Sequence, residues 1–375
     1  MKQAFTREWS MLIALVAIWA FFAWQQPVFL SPRNLSLLSI ELAVTATLAL
    51  GMLLVLLPGQ IDLSAGSGVG LTGAIAAVLV FWHQVPAPIA LLIATAVALV
   101  IWSLMGALVV IERVPAFIIT LGGLLVFKGL HWLVIKSQTV PVAVGGESNA
   151  YSVLTTWFLP PAAGYVLAAV VIGLMAWISL RSRASRRQLG LPVPDSEHWF
   201  MGLFIAAQVT LLVVIVANGY RGIPLALVIL ATVALLVQVI TQHTPFGRYL
   251  YAIGGNEDAA LVSGVPVRAA IIGAFALMGF IVALTGFMQT AYSGASTTTV
   301  GSLMELDAVA ACVIGGTSLR GGRGTVLGVL FGALIMASLL NGMTLMAVSP
   351  EVKYMARGIV LALAVWLDIR MGRSG

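Results

Sequence analysis

Long apolar stretches, each about the length of a membrane crossing and nearly free of charge, follow one another from residue 11 to residue 369. A run of about 20 apolar residues spans the hydrocarbon core when it is helical. Inside lipid, only helices and closed barrels satisfy their own backbone hydrogen bonds. A barrel would show shorter segments of alternating character, which this sequence lacks. Composition agrees, since 61% of the 375 residues are hydrophobic and 9% are charged, against about 25% charged in soluble chains. The sequence therefore predicts an all-α, polytopic transmembrane bundle of about 10–12 spans, organised as a single membrane domain over residues 1–375.

Candidate crossings run over residues 11–30, 35–57, 63–82, 88–111, 115–135, 162–180, 199–217, 223–242, 268–290, 305–317, 325–346 and 352–369. The stretch at 305–317 is short for a full crossing. Met11 to Phe22 is followed by Trp24-Gln25-Gln26-Pro27 rather than by a small-residue cleavage site, so it reads as a retained first helix. With the N-terminus inside, thirteen of the 19 basic residues fall on the cytoplasmic side: Lys2, Arg7, Arg113, Arg181, Arg183, Arg186, Arg187, Arg248, Arg268, Arg320, Arg323, Arg370 and Arg373. Arg33, Lys128, Lys136, Arg221, Lys353 and Arg357 fall outside. This asymmetry predicts a multi-pass membrane protein with both termini cytoplasmic. The arginine cluster at 181–187 suits contact with anionic membrane lipid. The net charge of +6 is scattered between apolar runs and forms no stripe for nucleic acid.

Chemistry of the enzymatic kind is hard to assemble here. Cys312 stands in apolar sequence and suits packing, while His83, His131, His198 and His243 lack metal-ligand spacing, so no metal site is expected. No Gly-x-x-x-x-Gly-Lys-Ser/Thr loop occurs. The glycine-rich run from Gly315 to Gly324 has no lysine and reads as a tight, flexible connection on the inner side. No cofactor is expected in the chain, and any nucleotide would be bound by a partner subunit.

Ionisable groups in hydrocarbon are costly and are functional candidates. Glu41 lies in the second crossing, either near its outer interface or on a path through the bundle. Asp62 follows Pro58-Gly59 and reads as an N-cap. Ser302 and Glu305 fit a capping box. Asp307, two residues on, points about 200° away from Glu305 around a helix, so these carboxylates cannot form one acid/base pair. Gln289, Thr290, Tyr292 and Asn341 suit a path for a neutral polar solute and suit helix-to-helix hydrogen bonding equally well. The candidates for a translocation path are therefore Glu41, Gln289, Asp307 and Asn341. A weak likeness between Gln60–Ser67 and the stretches at Glu305–Ala308 and Gly315–Ser318 hints at internal duplication.

The longest polar stretch between apolar runs in the C-terminal half is Thr244–Arg268, which the charge asymmetry places in the cytoplasm. Gly254-Gly255-Asn256 reads as a turn that re-aims the chain. Asp258 suits the positive end of a short helix. Ala259, Ala260 and Gly264 leave its surface shallow, so another protein could approach the backbone closely. Taken alone, these residues fit an ordinary cytosolic loop with a capped helix better than a docking element.

Four blocks in order, IDLSAGSGVGLTGA at 61–74, FGRYLYAIGGNEDAALVSGV at 246–265, ELDAVAACVIGGTSLRGGRGTVLG at 305–328 and LIMASLLNGMTLM at 334–346, resemble the permease subunit of bacterial ribose/xylose-type ATP-binding-cassette sugar importers. The likeness covers residues 12–368. RSRASRRQLGLPVP and NGYRGIP resemble the longer xylose branch, whereas Ala65 and Leu340 depart from the usual valine and the xylose-type acid. The resemblance implies a homodimer in the bacterial inner membrane, a periplasmic sugar-binding protein that delivers the cargo, and a cytosolic ATPase that docks on residues 244–268 through Gly254, Gly255, Asn256, Asp258, Ala259, Ala260 and Gly264. A proton-coupled secondary transporter, a membrane-embedded enzyme, and an importer of amino acids or nucleosides are the rival readings.

Overall fold

The computed structural model describes residues 2–193 and 195–372, without the side chains of residues 2–10, His198 and 367–372. The side chains of Lys2, Arg7 and Arg370, and all of Arg373, therefore lie outside the described part. In chain order the elements are α1 (Lys2–Gln25), a 3-10 turn at Pro27–Leu30, α2 (Pro32–Leu56), α3 (Ala65–Phe81), α4 (Ala87–Ile111), α5 (Ala116–Val134), β1 (Val140–Pro141), α6 (Val153–Thr156), β2 (Phe158–Leu159) and α7 (Pro161–Gln188). There follow α8 (Ser196–Asn218), β3 (Ile223–Pro224), α9 (Leu225–His243), α10 (Pro245–Gly255), α11 (Glu257–Val262), α12 (Val267–Ser293), β4 (Ala295–Ser296), α13 (Met304–Ile314), α14 (Val326–Leu345) and α15 (Pro350–Gly372).

All twelve expected crossings are helical, and among the described residues eight helices are long and apolar enough to span a bilayer. Burial ranks them. In α2, α12 and α14 the apolar windows are 78%, 67% and 67% buried, whereas α7 and α8 are each 11% buried. The first three are thus the centre, and the α7–α8 pair stands at the periphery with its side chains turned outward. Lipid tails are as apolar as leucine, so helix contacts here depend on close packing and on hydrogen bonds across helices. Trp19 Nε1 donates to Ser338 Oγ at 2.9 Å, tying α1 to α14. Buried Cys312 donates through Sγ to the Ala49 carbonyl at 3.2 Å, the packing role expected for it.

Two of the helices, α3 and α13, begin inside the bundle, and α13 is also short. α13 has 11 residues, about 16 Å at 1.5 Å per residue, roughly half of a 30 Å core. After α2 ends, residues 57–64 turn back into the bundle, so that α3 begins opposite Trp102, well within α4. Trp102 Nε1 donates to Asp62 Oδ2 at 2.7 Å. From the other end of the bundle, residues 294–303 descend after α12. The starts of α3 and α13 then meet: a Cβ on Gly66 would lie 1.9 Å from Glu305 Oε2, and one on Gly301 would lie 2.1 Å from the Gly66 carbonyl. Only glycine lets these backbones cross. The weakly alike stretches at Gln60–Ser67 and Glu305–Ala308 are the two helix starts that meet here.

The expected capping box is absent. α13 is preceded by Leu303 in the left-handed region (φ 62), with no side-chain cap; Ser302 is exposed and Glu305 is buried against α3. Tertiary crossing set the geometry there, overriding a local motif. Asp62 is also displaced from its expected N-cap position, which Ser64 holds. Its Oδ1 accepts from Ser64 N at 2.8 Å and from Ser64 Oγ at 2.6 Å, forming a turn just ahead of the helix.

The loop after α5 is woven into the bundle. β1 pairs antiparallel with β4, Val140 opposite Ser296, and β2 pairs with β3, Phe158 opposite Pro224. Between them Tyr151 is fully buried and donates to the Gly73 carbonyl at 2.9 Å.

Candidate functional site

α2, α12, α13, α14 and α15 enclose a cavity of about 320 Å³. Its floor is the descending segment at Val300, Gly301 and Ser302, the same stretch that crosses α3. Glu41, Gln289 and Asp307, three of the four path candidates, line it. Asn341 stands directly behind, buried, and donates through Nδ2 to Glu41 Oε2 at 3.2 Å. Tyr292 donates to Glu41 Oε1 at 2.9 Å. Asn34 Nδ2 donates both to Asn341 Oδ1 and to the Phe29 carbonyl, each at 2.9 Å. This chain of bonds joins residues 307 positions apart and holds the carboxylate of Glu41 toward the cavity.

Arg357, on α15, was read from sequence only as a topological charge. In the structure it lines the cavity, with Nε 3.2 Å from Asp307 Oδ1. A basic residue seven positions into an apolar final helix was the available signal. Glu305 is 5% exposed, faces α3, and is not part of the lining, so Glu305 and Asp307 do point to different surroundings, as their spacing required.

At the end of the bundle where α2 finishes, α10 is fused to the core. Thr244 caps it, accepting from Gly247 N at 3.2 Å. Gly254 is pressed inward, so a Cβ there would lie 1.9 Å from the Leu57 carbonyl and 2.3 Å from Gly322 N. Gly322 N itself donates to the Leu57 carbonyl at 2.9 Å, and Tyr251 Oη donates to the Gly324 carbonyl at 2.8 Å. The glycine-rich run expected to be flexible is therefore a packed turn that joins α2, α10 and α14. Gly254 and Gly255 are the last turn of α10, and the chain bends only at Asn256.

Asn256 caps α11, accepting from Ala259 N at 2.9 Å. Asp258 lies in its first turn. Gly255, Asn256, Asp258, Ala259 and Gly264 are exposed, whereas Ala260 is buried. Gly264 has φ +80 and open space around it, so its need for glycine is a matter of backbone conformation. Sequence reasoning missed Leu261 and Val262, which are 62% and 89% exposed and make an apolar tip on this polar segment.

A bundle of long apolar helices with a polar cavity among its central members is the architecture of a multi-pass membrane protein. The family model described as "Branched-chain amino acid transport system / permease component" matches residues 34–365. The chain belongs to that family of transport permeases. It is 39% identical over 361 residues to the xylose transport system permease protein XylH of Escherichia coli strain K12, covering 96% of this chain and 90% of that protein. The Haemophilus influenzae protein of the same name is 40% identical over 372 residues, 98% of this chain and 97% of its own. The ribose import permease protein RbsC of Escherichia coli strain K12 is 34% identical over 372 residues, 98% and 96% respectively. No solved structure matches the chain.

Proposed function

We propose that the chain is the membrane permease of an ATP-driven importer for a pentose, with D-xylose the first candidate. The observation that carries this is the cavity. Its wall sets hydroxyls, the Gln289 amide and the fixed Glu41 carboxylate beside the apolar faces of Met304, Ala337 and Leu340, a mixture that suits a sugar with its hydroxyls and its C–H faces. A branched-chain amino acid would require a free cation for its carboxylate. The lining cation, Arg357, already faces Asp307. Higher identity to the xylose permeases than to the ribose permease supports the choice of sugar.

In this reading a periplasmic binding protein delivers sugar to the cavity, the permease acts as a homodimer in the inner membrane, and a cytosolic ATPase docks on α10 and α11. Nothing in the sequence supplies a nucleotide loop, so the free energy enters through that contact. α2 carries Glu41 in its first half and ends at its C-cap Leu57, whose carbonyl meets Gly254 and Gly322. A push on α10 thus reaches the cavity through one continuous helix. A bound sugar or ATP biases the switch only by binding its two states unequally.

Proteoliposomes holding the permease, its ATPase and the binding protein test the reading. They are expected to accumulate D-xylose in an ATP-dependent manner, with ribose weaker and leucine inert. Uptake that persists without the ATPase and follows a proton gradient would overturn it in favour of a secondary transporter; leucine uptake would overturn the cargo.

A further inference from the structure

We infer that the cavity is a recognition site for one neutral polyol within this chain itself, in which Glu41 accepts neighbouring hydroxyls and Asp307, held by Arg357, meets the same molecule from another helix. The inference rests on the sugar-permease reading and adds to it that the permease selects its cargo instead of merely passing what is delivered.

A carboxylate offers two oxygens and about four lone-pair sites. At Glu41, Tyr292 occupies one site on Oε1 and Asn341 one on Oε2, so each oxygen retains acceptor capacity. The donors behind are themselves fixed, because Asn341 is held by Asn34, and Asn34 by the Phe29 carbonyl. Asn34 and Asn341 are each 5% exposed, so the carboxylate meets a ligand without first being ordered, which reduces the entropic cost of binding. Two adjacent acceptors on a fixed plane suit two adjacent hydroxyls.

The remaining wall adds Thr45, Gln289, Ser293, Thr297 and Thr299, side chains that donate and accept and therefore match hydroxyls in either sense. The lining's charged groups, Glu41, Asp307 and Arg357, sum to one negative charge. Lys353, which donates to Thr344 Oγ1 at 3.0 Å, adds a positive charge that is felt at Glu41 and brings the whole close to neutral, as an uncharged polyol requires. A sugar acid would bring its carboxylate against two others. Gly301, part of the lining, is locked on Gly66, which fixes that side of the site.

The test uses the full-length permease in nanodiscs without its partners, with D-xylose and D-xylonate as probes in saturation-transfer NMR. Wild type is expected to show saturable contact with xylose and at least about tenfold weaker contact with xylonate. Glu41→Gln is expected to weaken xylose at least about tenfold, the size of one lost hydrogen bond to a charged group. Tyr292→Phe keeps the charge and is expected to weaken it less, which leaves a readout should Glu41→Gln fail to fold. Absence of saturable xylose contact while the complete transporter imports xylose would overturn the site alone. Equal binding of xylonate, or xylose contact unchanged in both variants, would do the same. Failure of the complete transporter to import any pentose would instead remove the sugar-permease reading, and this site with it.

Discussion

Replacing Gly301 by alanine tests the crossing where the starts of α3 and α13 meet, beside the cavity. A Cβ there would lie 2.1 Å from the Gly66 carbonyl and 2.8 Å from Gly70 N, where ordinary contact begins at 3.4 Å, so one backbone must move by more than an ångström. Gly301 also has φ +83, which costs an L-residue about 1–2 kcal/mol. Overpacking adds about 1–3 kcal/mol. Gly294→Ala separates these effects, because Gly294 has φ +73 but nothing within 4 Å of its Cβ position. It should lose only the left-handed cost, about 1–2 kcal/mol. Thermal unfolding of the purified permease, followed by tryptophan fluorescence, should therefore show Gly301→Ala about 1–3 kcal/mol worse than Gly294→Ala. Equal losses would mean that the crossing yields freely, and the close approach of α3 to the descending segment would be refuted.

Other outcomes follow from single contacts. Trp102→Phe removes the donor from Asp62 Oδ2 and should cost about 1–3 kcal/mol, measured by the same unfolding assay. Arg357→Met leaves the nearly buried Asp307 unpaired and should cost about 3–5 kcal/mol, with much of the loss recovered in the Arg357→Met/Asp307→Leu double variant. Asn256→Ala removes the α11 cap and should cost that helix about 1 kcal/mol, seen as faster amide exchange confined to residues 257–262. Asp258→Arg should abolish co-purification of the ATPase while the permease still inserts and elutes as one species; normal assembly would count against docking there.

Much of this architecture could be read directly from the chain. Crossings announce themselves because lipid demands uninterrupted apolar helices, and even the shortness of α13 was visible in the run at 305–317. Asn256 was legible as a break because its side chain acts locally. Distant partners were not. Asn34 and Asn341 bond across most of the sequence, and Arg357 joins the cavity only because α15 packs on α13. Ser302 and Glu305 matched a local motif, yet the turn at Leu303 is set by the glycine crossing, which no local pattern encodes. Gly254 is small for the sake of its own chain, at Leu57 and Gly322, rather than for a partner's approach.

The account centres on α11 as the cytosolic handle of a permease driven from outside. Val262 is 89% exposed, and the chain's lone cysteine, Cys312, is buried, so Val262→Cys gives a single reactive thiol. A membrane-impermeant maleimide should label it in inside-out vesicles and leave it untouched in right-side-out ones, and added ATPase should protect it. Labelling from the periplasmic side, or labelling indifferent to the ATPase, would contradict the account.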